Sequence, residues 1–153
     1  MALETARTGK SGGKKHRNSH AREVAMQALY QIEVAEQPLA KVLLLEWLNQ
    51  PLEASVRDYC QELIRGVTSS TPALNTVIES LSSKDPTQIS TVVRNILRMG
   101  IFELMTENLD PSIVMDDLIN LTRKYDGEES VPFVNGILDR FEKEKRTYRG
   151  ETK

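Results

Sequence analysis

The chain has 153 residues, 39% of them hydrophobic, and a formal net charge of −2, enough to close one compact core and marginal for two full domains. No apolar run approaches the roughly 20 residues that span a bilayer, and the Lys-, Gly- and Ser-rich start lacks the apolar segment of a secretory signal, so a cytoplasmic protein with no membrane contact is expected. Cys60 stands alone, which excludes an internal disulfide, and His16 and His20 leave a zinc set short of ligands.

Charge is spread unevenly. Residues 1–22 balance to +5 and residues 140–153 to +3, which leaves −10 for the body between them. A polyanion would be repelled by most of such a surface, so nucleic-acid contact is expected only at the basic ends, while the acidic body suits a basic protein partner.

Residues 1–18 are almost free of apolar side chains and contain Gly9, Gly12 and Gly13, the composition of a flexible basic arm, disordered when alone. Its cluster KKHRNSHAR can neutralise phosphates with release of counterions; a solvated tail is the other reading. The spacing predicts a first helix from an N-cap at Ser19 to about Glu36, with Ala21, Val24, Ala25, Ala28, Leu29 and Ile32 inward. A short second helix is expected from Leu39 to about Asn49. A third opens at Pro51, with Val56, Tyr59, Cys60, Leu63, Ile64 and Val67 on its stripe. Within that stripe Cys60 reads as an inert buried thiol.

Thr71 and Pro72 read as N-cap and first turn of a fourth helix lined by Leu74, Val77, Ile78 and Leu81. After the loop SSKDPTQ comes the longest amphipathic run, Ile89 to Met105, predicted as the scaffold helix with Arg94, Arg98 and Glu103 off the stripe at its margin. Asp110 and Pro111 start a sixth helix lined by Val114, Leu118, Leu121 and Tyr125. Asp116 and Asp117 on it are expected to form a solvated edge, because consecutive helical residues diverge by about 100°. Ser130 then caps a last helix with Phe133, Val134, Ile137, Leu138 and Phe141 inward. The pattern gives one all-α domain of about seven helices, residues 19–145, which if it divides into two small lobes would do so as 19–70 and 71–145, followed by a basic tail, 146–153. No strand alternation, Gly-rich phosphate loop, central histidine or facing carboxylate pair occurs, so neither an enzyme nor a cofactor site is expected.

Three blocks, AREVAMQALYQIE (Ala21 to Glu33), VVRNILRMGIFEL (Val92 to Leu104) and GEESVPFVNGILDRF (Gly127 to Phe141), resemble in order and spacing the NusB family of bacterial transcription antitermination factors. The resemblance spans roughly residues 14 to 142, with FVNGILD its most specific part. It implies a two-lobed all-α fold and binding of single-stranded boxA RNA from ribosomal RNA leaders, together with the ribosomal protein NusE, within the RNA polymerase antitermination complex.

Carried over by position, the resemblance places Lys14, Lys15, Arg17 and Arg22 on RNA phosphates, and Tyr30, Glu129, Phe133 and Asn135 at the RNA-facing surface. Aromatic rings stack on splayed bases and amides read base edges. Tyr30 and Phe133 equally fit core positions, and Asn135 equally fits a bond to a neighbouring loop. The chain departs from the family where Val93 replaces a frequent carboxylate, Pro132 a frequent lysine and Glu129 a frequent aspartate, and its arginine run is thinner at residues 16–20. The alternative reading is a non-catalytic helical interaction module, or a homodimer that masks its RNA surface.

Overall fold

A computed structural model describes the backbone of residues 10–106 and 108–148 and the side chains of residues 18–106 and 108–145. Among them are seven α-helices and no strand: α1 (Lys10–Val34), α2 (Leu39–Leu43), α3 (Ala54–Ser69), α4 (Thr71–Leu81), α5 (Thr91–Leu104), α6 (Pro111–Asp126) and α7 (Val131–Tyr148). Single 3-10 turns at Pro86–Gln88 and Glu128–Ser130 precede α5 and α7. The fold is all-α, as the periodicity predicts. The chain divides into two compact units between Ile64 and Arg65, inside α3.

In the first unit, α1 buries Ala21, Val24, Ala25, Ala28 and Leu29. It begins at Lys10, not at Ser19. Extending an established helix fixes one residue per hydrogen bond gained, and the Lys and Arg residues of this segment are good helix formers that offset its two glycines. The helix stops at Val34, and Glu36 turns the chain with φ at 53° while the Gln37 amide donates to the Gln31 carbonyl at 3.2 Å.

Helix α2 is shorter than the sequence predicts. It ends at Leu43, after which Leu45 takes φ 58° and the half-buried Trp47 indole N–H donates to the Val42 carbonyl at 3.0 Å. Helix α3 starts at Ala54 and not at Pro51, because Glu53 organises the first turn: its carbonyl accepts the Arg57 amide at 2.8 Å and its carboxylate accepts the Ser55 hydroxyl at 2.9 Å. Cys60 is fully buried, and loss of hydration pushes its thiol pKa up to about 12, so it is the inert thiol its stripe implied.

In the second unit α5 lies against α4, α6 and α7. Ser90 caps it, accepting the Val93 amide at 3.1 Å. Gly100 permits the close approach: a Cβ there would fall 2.7 Å from a Leu138 methyl and 2.8 Å from a Leu118 methyl. Asp110 caps α6 with Pro111 in its first turn, as predicted, while Ser70 and not Thr71 holds the N-cap position of α4.

Several polar residues expected at the surface lie inside. Arg98 is buried, its guanidinium donating to Asn75 Oδ1 at 2.8 Å and Asn95 Oδ1 at 2.9 Å, and Glu103 and Asp117 are buried as well. Helical periodicity ranks Arg98 and Glu103 as marginal, but α5 is enclosed by three neighbouring helices, so its buried arc is wider than an apolar stripe indicates; Asp117 lies on α6, which packs on both α5 and α7. Tyr125, expected inward, is exposed, with the Lys124 ammonium 5.4 Å from its ring centre.

Candidate nucleic-acid interface

The predicted contact residues fall into two groups, one in each unit. In the first unit, the side chains of Lys14, Lys15 and Arg17 lie outside the described residues, as does that of His16. Tyr30 is 42% exposed, so its ring is a surface group and not a core one. Arg22 departs from expectation. At 1% exposure it sits on the buried arc with Ala21, Ala25 and Met26, its guanidinium carbon 6.0 Å from the Tyr59 ring centre. A group so enclosed cannot meet a phosphate without leaving the interior.

In the second unit, the turn Glu128–Ser130 and the first turn of α7 bring Glu129, Phe133 and Asn135 to one end of the helix. Gly127 makes the turn possible with φ 101°, a region that L side chains avoid. The Glu129 carboxylate folds back over it, 2.6 Å from where a Cβ would stand. Asn135 and Glu129 are exposed and Phe133 is half-buried. Of the two readings for Phe133, the geometry supports a ring seated at the rim of the core with an accessible part.

That ring forms one wall of a cleft of about 100 Å³, whose polar wall comes from Lys84, Gln88, Ser90, Asp126 and Ser130. Ile89 and Val93 add an apolar surface. The carboxylate of Asp126 ties the cleft together. Ser90, at the start of α5, donates its hydroxyl to Oδ1 at 3.0 Å, and Ser130, at the start of α7, donates to Oδ2 at 2.5 Å. The Lys84 ammonium stands 4.4 Å from the centre of the Phe133 ring.

Sequence reasoning did not single out Lys84, Ser90 or Asp126 as site residues. Lys84 carries no local signal, because what gives it meaning is a ring 49 positions along the chain. Ser90 and Asp126 occupy a helix start and a helix end, where such residues are ordinary. Among the described residues no group of three or more His, Cys, Asp or Glu could hold a metal ion, and no helix is long and apolar enough to cross a membrane.

The NusB family profile matches residues 19–143. The chain belongs to the NusB family. It is 38% identical over 126 residues to the transcription antitermination protein NusB of Anaeromyxobacter dehalogenans, which covers 81% of this chain and 89% of that protein. Among solved structures, NusB from T. maritima superposes with a TM-score of 0.74 at 28% identity, over 86% of this chain and 96% of that one. A chain from a complex of the antitermination factors NusB and NusE with double-stranded RNA gives a TM-score of 0.69 at 24% identity, over 84% and 97% of the respective chains. At that identity the similarity shows the fold. The NusB profile contains both Tyr30 and the FVNG segment, and its first residue, Ser19, lies beyond the basic cluster Lys14, Lys15 and Arg17.

Proposed function

We propose that this protein is an RNA-binding transcription antitermination factor that engages boxA-type single-stranded RNA of ribosomal RNA leaders together with NusE. The observation that carries this reading is membership of the NusB family along nearly the whole helical body, residues 19–143. A structural neighbour bound to NusE and RNA supports the choice of partners.

Lys14, Lys15 and Arg17 supply the phosphate-binding charge in this proposal. Tyr30 and Phe133 supply stacking surfaces, and Asn135 and Glu129 supply hydrogen-bonding groups to base edges. The exposure of Tyr30, Asn135 and Glu129 is compatible with these roles. Tyr30 and Val34, one helical turn apart and both exposed, also give the first unit an apolar surface suited to a protein partner. The acidic body of the chain complements a basic ribosomal protein, and the assembled pair acts within the polymerase antitermination complex.

Binding of a boxA single strand and of a scrambled strand, each with and without NusE and at two salt concentrations, tests the proposal. Preference for boxA, strengthened by NusE, is expected. Affinity should fall by roughly 0.7 log units per log unit of salt for each phosphate neutralised. The triple change Lys14→Ala, Lys15→Ala and Arg17→Ala should flatten that slope by about 2. Equal binding to both strands, or none with NusE present, would leave the interaction module or a self-masking homodimer.

A further inference from the structure

We infer that the cleft between the start of α5, the end of α6 and the start of α7 is a nucleotide subsite selective for guanine, with Asp126 reading the base edge and Lys84 taking the phosphate. This rests on the RNA-binding reading above and deepens it.

The chemistry of the walls narrows the ligand. Asp126 offers about four lone-pair positions, of which the Ser90 and Ser130 hydroxyls fill one on each oxygen. Both hydroxyls spend their protons on the carboxylate, and Ser90 also accepts the Val93 amide. Gln88 uses its carbonyl oxygen on the Asp85 amide, at 3.3 Å, which leaves its amide N–H2 as a donor among the lining groups. The positions still open on Asp126, Ser90 and Ser130 are therefore acceptors, to which a ligand would bring N–H donors.

The opposite side has the reverse demand. Lys84 is exposed and holds its ammonium over the Phe133 ring, a weak contact that an anionic group can displace. A free phosphate satisfies Lys84 but is repelled by Asp126. An arginine side chain satisfies Asp126 but is repelled by Lys84. A nucleotide satisfies both and adds a flat face for Phe133. The cleft, of about 100 Å³, opens to solvent, so the edge of a base can enter it while the ribose and phosphate stay outside.

The acceptor wall also discriminates among bases. Guanine presents two parallel donors, N1–H and the exocyclic amino group, to a carboxylate. Cytosine and adenine present one amino group beside a ring acceptor. Uracil presents a single N–H flanked by two carbonyl oxygens that the carboxylate repels. Guanine fits best and uracil worst.

The test uses the full chain, titrated separately with GMP, IMP and UMP and followed by NMR at Asp126, Ser130 and Phe133. IMP lacks only the exocyclic amino group. Saturable shifts at these residues are expected, with GMP bound roughly tenfold or more tightly than IMP or UMP. Lys84→Gln, a change at an exposed site, should weaken all three alike and keep the guanine preference. Asp126→Asn should abolish the preference.

Equal affinity for GMP and UMP, or shifts that do not saturate, would overturn the inference even where boxA RNA binds. Saturable, guanine-selective binding by a protein indifferent to boxA RNA would keep the subsite and overturn the antitermination reading. If Asp126→Asn does not fold, the comparison of GMP with IMP on the unaltered chain still decides.

Discussion

The ring of Phe102 fills the space that a side chain at residue 66 would need: a Cβ on Gly66 would stand 2.1 Å from Phe102 Cζ. Helix α3 thus meets α5 through a missing side chain. Gly66→Ala gains about 1 kcal/mol of helix propensity but forces a ring aside, an overpacking cost of about 1–3 kcal/mol. Net destabilisation is expected in urea unfolding. In a Phe102→Ala background the same change should become stabilising, and additivity of the two changes would show that the ring does not constrain residue 66.

In the interior, the Arg98 guanidinium donates to two asparagine oxygens, Asn75 Oδ1 and Asn95 Oδ1. Asn75→Leu removes one acceptor and leaves a charged donor short of a partner, at a cost of about 1–3 kcal/mol. Arg98→Lys should cost a comparable amount, because an ammonium cannot reproduce the planar fork that reaches both Asn75 and Asn95. Wild-type melting temperatures for both variants would refute the network's contribution.

The sequence made the helices of the second unit legible wherever their signals are local. Asp110 followed by Pro111 marks the start of α6 because an acceptor and a fixed φ both act within one turn. Glu53 shows the limit: its backbone carbonyl accepts the Arg57 amide at the start of α3, yet Pro51 carries the stronger statistical signal for a helix start. The buried Arg98 and Arg22 were unreadable for another reason. Whether a charge is interior depends on what the fold packs against it, and Asn75 and Tyr59, which meet these two guanidiniums, are distant in the chain. In the candidate site, the FVNG segment could be recognised from sequence. The Ser90, Asp126 and Ser130 bridge could not, since it exists only once α5, α6 and α7 are placed.

Acid should loosen two element starts. Asp85 is held below its ordinary value of 3.8 by the backbone amide and then the hydroxyl of Thr87, and Asp110 by the hydroxyl and then the amide of Ser112. Because both folded values are depressed, their contribution to stability is complete above pH 3.8 and is lost as pH falls through the lower folded values. Asp85→Asn and Asp110→Asn should each flatten the acid limb of a stability profile below about pH 4. An unchanged limb in both variants would assign acid sensitivity elsewhere.

Glu36 takes φ 53° at an exposed position, a conformation that costs most L residues roughly 1–2 kcal/mol. Glu36→Gly removes that strain and gives back part of it as greater freedom of the unfolded chain. A net gain of up to about 1 kcal/mol in chemical denaturation is expected. A loss would mean that the Glu36 side chain stabilises the turn.

The burial of Cys60 gives the chain a silent thiol. With its pKa pushed up to about 12 and its sulfur shielded from solvent, maleimides and spin labels should pass it by at neutral pH. A reporter cysteine placed at exposed Asp58 or Glu79, neither of them a proposed contact residue, would then be the single labelled site in a protein whose native sequence is otherwise untouched. Fluorescence or distance measurements from either unit can follow RNA and partner engagement without a cysteine-free background.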